Sequence, residues 1–217
     1  MRGYGRNFLG LILLGLFGIL PLAGAQNSHH IIMLDTSGSM LIELDHGNAP
    51  KPRQVTRIDA IKEPFKEHID GVPIGDTLHL YQFNKGLQPN NVTITLLKAA
   101  DRAKAKQWVD NIKIATREIT NADGNKERVG RPTFLYSSLD KVLVKARVLL
   151  AKHGKAPSLL IISDGEDTEK NGPFKDMAAV LKKHGAIFEK LPTKVFCAIV
   201  KFNLDAIKGP FEKAGGV

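Results

Sequence analysis

Asp35, Ser37 and Ser39 stand at alternate positions in the run Asp35-Thr36-Ser37-Gly38-Ser39-Met40, directly after the apolar stretch His30-Ile31-Ile32-Met33-Leu34. A second carboxylate, Asp164, opens Asp164-Gly165-Glu166-Asp167 after the apolar stretch Ser158 to Ser163, and Thr133 closes Gly130-Arg131-Pro132-Thr133 ahead of a long patterned segment. Every one of these side chains offers oxygen, and none offers nitrogen or sulfur. Two carboxylates and three hydroxyls make a hard donor set, which favours Mg²⁺, or Mn²⁺ or Ca²⁺, over zinc or copper. The two aspartates neutralise a divalent ion, while the hydroxyls add no charge, so the ion keeps its appetite for an anionic oxygen from outside. Gly38 lets the loop turn tightly enough for Ser37 and Ser39 to face the same way. Taken alone, the Asp35 to Ser39 run also fits an N-cap and turn cluster; Thr133 and Asp164 favour the ligand reading.

Such residues need a frame that brings them together. His30 to Leu34 and Ser158 to Ser163 are continuously apolar runs, each ending at an Asp/Ser/Gly cluster, as strands covered on both faces do. Thr77 to Phe83 and Val195 to Val200 read as further strands, and Val92 to Leu96 alternates apolar with hydroxyl residues as a half-exposed edge strand does, here expected to be antiparallel. Helical spacing marks Ile58 to Ile69, Ala99 to Lys113, Leu139 to Leu150 with a stop at Gly154, Phe174 to His184 ending at Gly185, and Asn203 to Lys213. Residues 115–132 show no periodicity and read as a long loop. The alternation predicts an α/β fold: a doubly wound, mainly parallel sheet with helices on both faces and one antiparallel edge strand. In such a sheet the site lies at the carboxyl ends of the strands, where Asp35, Thr133 and Asp164 all fall.

Asp35-x-Ser37-x-Ser39 after a buried strand, Thr133 opening a later helix and Asp164-Gly165-Glu166 after another strand resemble the von Willebrand factor type A domain and its metal-ion-dependent adhesion site. The resemblance runs from about His30 to Val217. It implies a Rossmann-like fold, direct ligation by Ser37, Ser39 and Thr133, and ligation directly or through water by Asp35 and Asp164. It also implies an open coordination position taken by a carboxylate of a partner protein, and no catalytic activity. The family usually continues with one more strand and a closing helix, whereas this sequence ends at Gly215-Gly216-Val217, which resembles the turn into that strand. A missing strand would leave an edge open to pairing with another chain.

The competing reading is a Mg²⁺-dependent hydrolase or phosphatase on a similar sheet, with Asp35 as nucleophile. Such phosphatases usually carry a second aspartate two residues on, where this chain has Ser37, so the general acid is lacking. An aspartic-protease site needs two Asp-Thr-Gly loops, and no Gly-x-Ser-x-Gly elbow or phosphate loop is present. Glu166 and Asp167 read as acids of a helix's first turn. His29 and His30 lack a Cys or spaced His partner, which argues against zinc, and Asn91-Val92-Thr93 matches a glycosylation sequon.

Residues 1–25 have basic Arg2 and Arg6, an apolar stretch from Phe8 to Leu22 and the ending Ala23-Gly24-Ala25, the pattern of a cleavable signal peptide. Residues 26–217 would then form the domain, secreted or periplasmic, with no membrane span after cleavage. The 217 residues suit one compact domain with its own core. With a single cysteine, Cys197, set in the apolar run Val195 to Val200, a buried thiol is expected rather than a disulfide. The net charge of +9 is regional: Lys98 to Lys155 holds 14 basic and 6 acidic residues, a net +8. The export signal and the lack of a recognition motif argue against nucleic acid. A basic rim around Thr133, including Arg117, Lys126, Arg128 and Arg131, would attract an acidic protein partner, although a solvated helix face carrying Lys141, Lys145 and Lys152 accounts for part of the charge.

Overall fold

A computed structural model describes residues 27–44, 55–114, 116–120, 123–124, 126–164, 167–198 and 204–217. Residues 1–25, read above as a signal peptide, and the Gly/Pro-rich stretch 47–52 lie outside them. In chain order the elements are β1 (His29–Asp35), a 3-10 turn (Gly38–Leu41), β2 (Glu43–Leu44), β3 (Val55–Thr56) and α1 (Arg57–Gly71). Next come β4 (Thr77–Asn84), β5 (Gly86–Leu87), β6 (Val92–Thr95), α2 (Ala99–Asp110), β7 (Thr116–Thr120), β8 (Lys126–Gly130) and α3 (Leu135–His153). β9 (Ser158–Ser163), α4 (Met177–Phe188), β10 (Lys194–Ala198) and α5 (Leu204–Lys213) complete the order.

The sheet runs β10-β9-β1-β4, all parallel, with β6 and β5 antiparallel along the outer side of β4. The continuously apolar strands are covered on both sides, as their composition requires. Ile31, Met33, Leu159, Ile161 and Phe196 point to one face and pack with α3, α4 and α5 residues such as Leu139, Val180 and Phe211. Ile32, Leu34, Leu160, Ile162 and Cys197 point to the other and pack with α1 and α2 residues such as Phe65 and Val109. Adjacent residues of one strand thus feed separate cores, the period-2 signature of a doubly covered sheet. Cys197 is buried, and burial pushes its thiol up to about 11, so it packs as an inert small hydrophobe. After β1 the chain crosses to β4 on one side, and β9 lies on the other, so the loops at the carboxyl ends of β1 and β9 diverge and open a crevice.

Three expectations are corrected. Residues 115–132 are not a featureless loop: Thr116 to Thr120 pairs antiparallel with Lys126 to Gly130, and Gly124 adopts φ +79° in the connecting turn. Thr116-Arg-Glu-Ile-Thr120 is a β-prone run, and Asp123-Gly124 is a turn signal; their charge obscured both. α4 starts at Met177, capped by the Asp176 side chain, and runs through Gly185 to Phe188. Burying Ile187 and Phe188 outweighs the ~1 kcal/mol cost of an interior glycine. α2 ends at Asp110, short of Lys113. At the other end of the chain, Gly215 turns with φ +81°, and Val217 pairs with β10: its N–H donates to Lys194 O (2.9 Å) while Phe196 N–H donates to Val217 O (2.8 Å).

Candidate metal centre

Asp35 ends β1 with no exposed surface. Its Oδ1 accepts from Ser37 N–H (2.8 Å), which tightens the loop, and its Oδ2 accepts from Ser163 Oγ (2.6 Å) at the end of β9. Ser37 and Ser39 hydroxyls lie 3.0 Å apart, so the alternate spacing does turn them to one side. Met40, fully buried, pins the 3-10 turn that follows. Asp164 follows Ser163 directly and is close enough to Asp35 to raise its pKa. Burial is the larger cause: it pushes the Asp35 carboxyl up to about 7, against the downward pull of the Ser163 and Ser37 hydrogen bonds. Among the described residues Asp35 has no ion-pair partner.

The third loop is locked to the first by backbone contact. Gly38 N–H donates to Arg131 O (2.9 Å), and Gly38 lies against Gly130 so closely that a Cβ on Gly38 would sit 2.3 Å from Gly130 Cα. This contact carries Thr133 to the crevice, where it lines one cleft with Ser39 and Thr168. Thr133 and Thr168 hold each other: Thr133 N–H donates to Thr168 Oγ1 (2.9 Å), and Thr168 N–H donates to Thr133 O (2.9 Å). The end of β4 supplies a further clamp, because Asn84 O accepts from Phe134 N–H (2.7 Å) and Asn84 Nδ2 donates to Thr36 Oγ1 (3.3 Å). Asp35, Ser37 and Ser39 are therefore linked by hydrogen bonds in one loop, Asp164 lies beside Asp35, and Thr133 shares a cleft with Ser39. As a set they suit a hard divalent cation: one carboxylate buried with no ion-pair partner among the described residues, a second beside it, and the Ser37 and Ser39 hydroxyls at hydrogen-bond distance of each other.

No family model matches the chain, and no curated protein matches it. Solved structures do. An aerotolerance-related membrane protein from Bacteroides fragilis NCTC 9343, carrying multiple mutations to serines, superposes with a TM-score of 0.50 at 17% identity, covering 79% of this chain and 67% of that one. The PilB minor pilin from Streptococcus sanguinis gives 0.50 at 14% identity, covering 90% of this chain and 56% of the pilin. The likeness is one of fold. It shows a mainly parallel α/β fold shared with these proteins, and the chain spans little more than half the length of the pilin.

One neighbour of the site was not foreseen. Thr56 caps α1 by accepting from Asp59 N–H, which places Arg57 at the helix start, and Arg57 Nη1 donates to Asp164 Oδ2 at 2.8 Å. Arg57 thus supplies a counter-charge to Asp164 from 107 residues away in sequence, while its own Nε is buried without a hydrogen-bond partner among the described residues. Asp167 differs from expectation: it serves α3 instead of a helix of its own, accepting from Tyr136 N–H and Glu169 N–H (2.8 Å each). Glu166 lies outside the described residues. On the rim, Leu41 and Ile42 are 42% and 51% exposed beside the serines. Arg117, Lys126 and Arg128 belong to the β7–β8 hairpin leading to Thr133, with Arg117 opposite Val129 and Lys126 opposite Thr120.

The His29 expectation needs amendment, since spaced partners exist at the far end of the sheet. His29 Nδ1 lies 3.0 Å from His79 Nε2, and the His153 ring lies 4.2 Å from that of His29, centroid to centroid. His30 is separately engaged with Asp76 (2.8 Å) and Ser158 (2.7 Å). Among the described residues no group of three or more His, Cys, Asp or Glu is arranged to hold a metal.

Proposed function

We propose that Asp35, Ser37, Ser39, Thr133 and Asp164 hold a divalent cation, Mg²⁺ or its substitutes Mn²⁺ and Ca²⁺, and that the protein is a binding module that takes an acidic side chain of a partner protein at that ion. The observation that carries this reading is Asp35: a carboxylate with no exposed surface, beside a second carboxylate and with no ion-pair partner among the described residues. Burying such a group is costly unless a positive charge is brought to it. A bound cation would act as a Lewis acid that attracts an anionic oxygen. This chain's part is to fix the ligand oxygens and, through the exposed Leu41 and Ile42, to give the partner apolar contact around the ion.

A non-catalytic role is supported by Ser37, which stands where a phosphatase of this type would place a general acid. The N-terminal pattern supports work outside the cytoplasm, after removal of residues 1–25. Among the described residues no helix is long and apolar enough to cross a membrane.

The test is a melting curve with Mg²⁺ and with chelator. The wild-type protein should melt higher with Mg²⁺, and Asp35→Ala should lose that gain; an identical melting temperature in both buffers would sink the proposal.

A further inference from the structure

Beside the candidate metal crevice lies a second cleft, of about 450 Å³, that meets it along a shared wall. Arg131, Pro132 and Thr168 line both, so the cleft bordered by Lys85 and Lys170 adjoins the one lined by Ser39 and Thr133. Three cations, Lys85, Arg131 and Lys170, border the second cleft, and none has an ion-pair partner among the described residues. Its one acid, Glu169, is already engaged by the Ser137 hydroxyl. Each cation also stands on or beside fixed backbone. Lys85 N–H donates to Asn84 Oδ1 (2.6 Å), Arg131 O accepts from Gly38 N–H, and Lys170 follows Glu169, whose N–H donates to Asp167 Oδ1.

We infer that the partner presents a pair of acidic groups, one for the metal crevice and a second for the Lys85–Arg131–Lys170 cleft, so that the recognised element is a di-acidic peptide segment. The inference rests on the metal reading for its first group and on the cleft for its second. Unpaired cations around a concave surface concentrate field on whatever enters, and a carboxylate there meets charged donors without displacing an existing ion pair. Pro132 and Phe134 in the wall give the segment between the acids something apolar to lie against. Of the three cations, Arg131 belongs to the basic stretch Lys98 to Lys155.

The probes are capped synthetic peptides with two aspartates separated by one to four glycines, each paired with a control in which the second aspartate is asparagine. They are titrated into the full chain in Mg²⁺ by fluorescence anisotropy. At the matching spacing the di-acid should bind about tenfold tighter than its control, as expected for one added set of charged hydrogen bonds. The advantage should shrink with added salt. The double variant K85E/K170E should abolish the advantage, weakening the di-acid far more than the control peptide, whose binding should still require Mg²⁺. If no spacing gives an advantage, or if K85E/K170E leaves it intact, the inference is overturned. Chelator provides the separate control: if it leaves the single-acid titration unchanged, the metal reading of the first group falls, whereas the cleft is judged by the ratio between peptides alone.

Discussion

Replacing Asp35 with asparagine separates the two sides of the proposed site, the cost of a buried charge and the benefit of a metal. The asparagine can keep both hydrogen bonds: its Oδ1 still accepts from Ser37 N–H, and its Nδ2 can donate to Ser163 Oγ once that hydroxyl turns. Burial raises the Asp35 carboxyl from 3.8 to about 7. A folded-state pKa above the unfolded value means that the acid form stabilises the fold at low pH, and that this contribution is lost as pH rises from about 4 through about 7. A rise of that size corresponds to on the order of 4 kcal/mol, borne by the metal-free fold at pH 8. In chelator at pH 8, Asp35→Asn should therefore be more stable than wild type, by up to that amount. The gap should close as pH falls toward 4. With Mg²⁺ at a hundred times its dissociation constant, the wild type should gain about 2.7 kcal/mol, and the variant nothing. Urea unfolding followed by circular dichroism at several pH values, with Mg²⁺ and with chelator, reads all of this. A variant less stable than wild type in chelator at every pH, or one that responds to Mg²⁺ as wild type does, rules out a buried charge that the metal relieves.

Arg57→Gln removes the counter-charge on Asp164 and should tighten metal binding roughly tenfold or more, since a charge-assisted hydrogen bond worth about 1.5–3 kcal/mol no longer competes; unchanged affinity by calorimetry would show that Arg57 and the ion do not share Asp164. Gly38→Ala would force a Cβ to 2.3 Å from Gly130 Cα, so the two loops must part at a cost of about 1–3 kcal/mol, with weaker Mg²⁺ response; thermal denaturation checks both. Burial holds the His68 imidazole down to about 4 in the fold, so the unfolded chain takes up the proton first as pH falls below 6.5. Wild type should then lose on the order of 3 kcal/mol relative to His68→Leu between pH 7 and pH 4. Parallel pH profiles for the two proteins would argue against a neutral buried His68.

The sheet was legible because its central strands are buried on both faces and carry that fact as unbroken apolar runs. Those runs also mark where the crevice opens, so Asp35 and Asp164 can be named together from the order of residues alone. Thr133 was legible from motif order, but what holds it in place was not. The Gly38–Gly130 contact joins two loops far apart in sequence, and nothing local marks two glycines as touching. Arg57 was hidden for the same reason: its helix start is readable from Thr56 and Asp59, but its partner is 107 residues away. The β7–β8 hairpin escaped because its strands are short and charged, so the alternation that reveals a half-buried strand is weak there. Gly185 misled in the opposite direction, since a helix-stop residue was overridden by the burial of Phe188.

Metal binding itself is the claim on which the rest depends, and titration of Mn²⁺ into the purified chain, followed by electron paramagnetic resonance of the free ion, measures it directly. One bound ion per chain is expected, displaced by Mg²⁺, with binding lost in Asp35→Ala and in the Ser37→Ala/Ser39→Ala double variant. A free-ion signal that rises as it does in buffer alone, or binding that survives both substitutions, would show that these residues hold no metal.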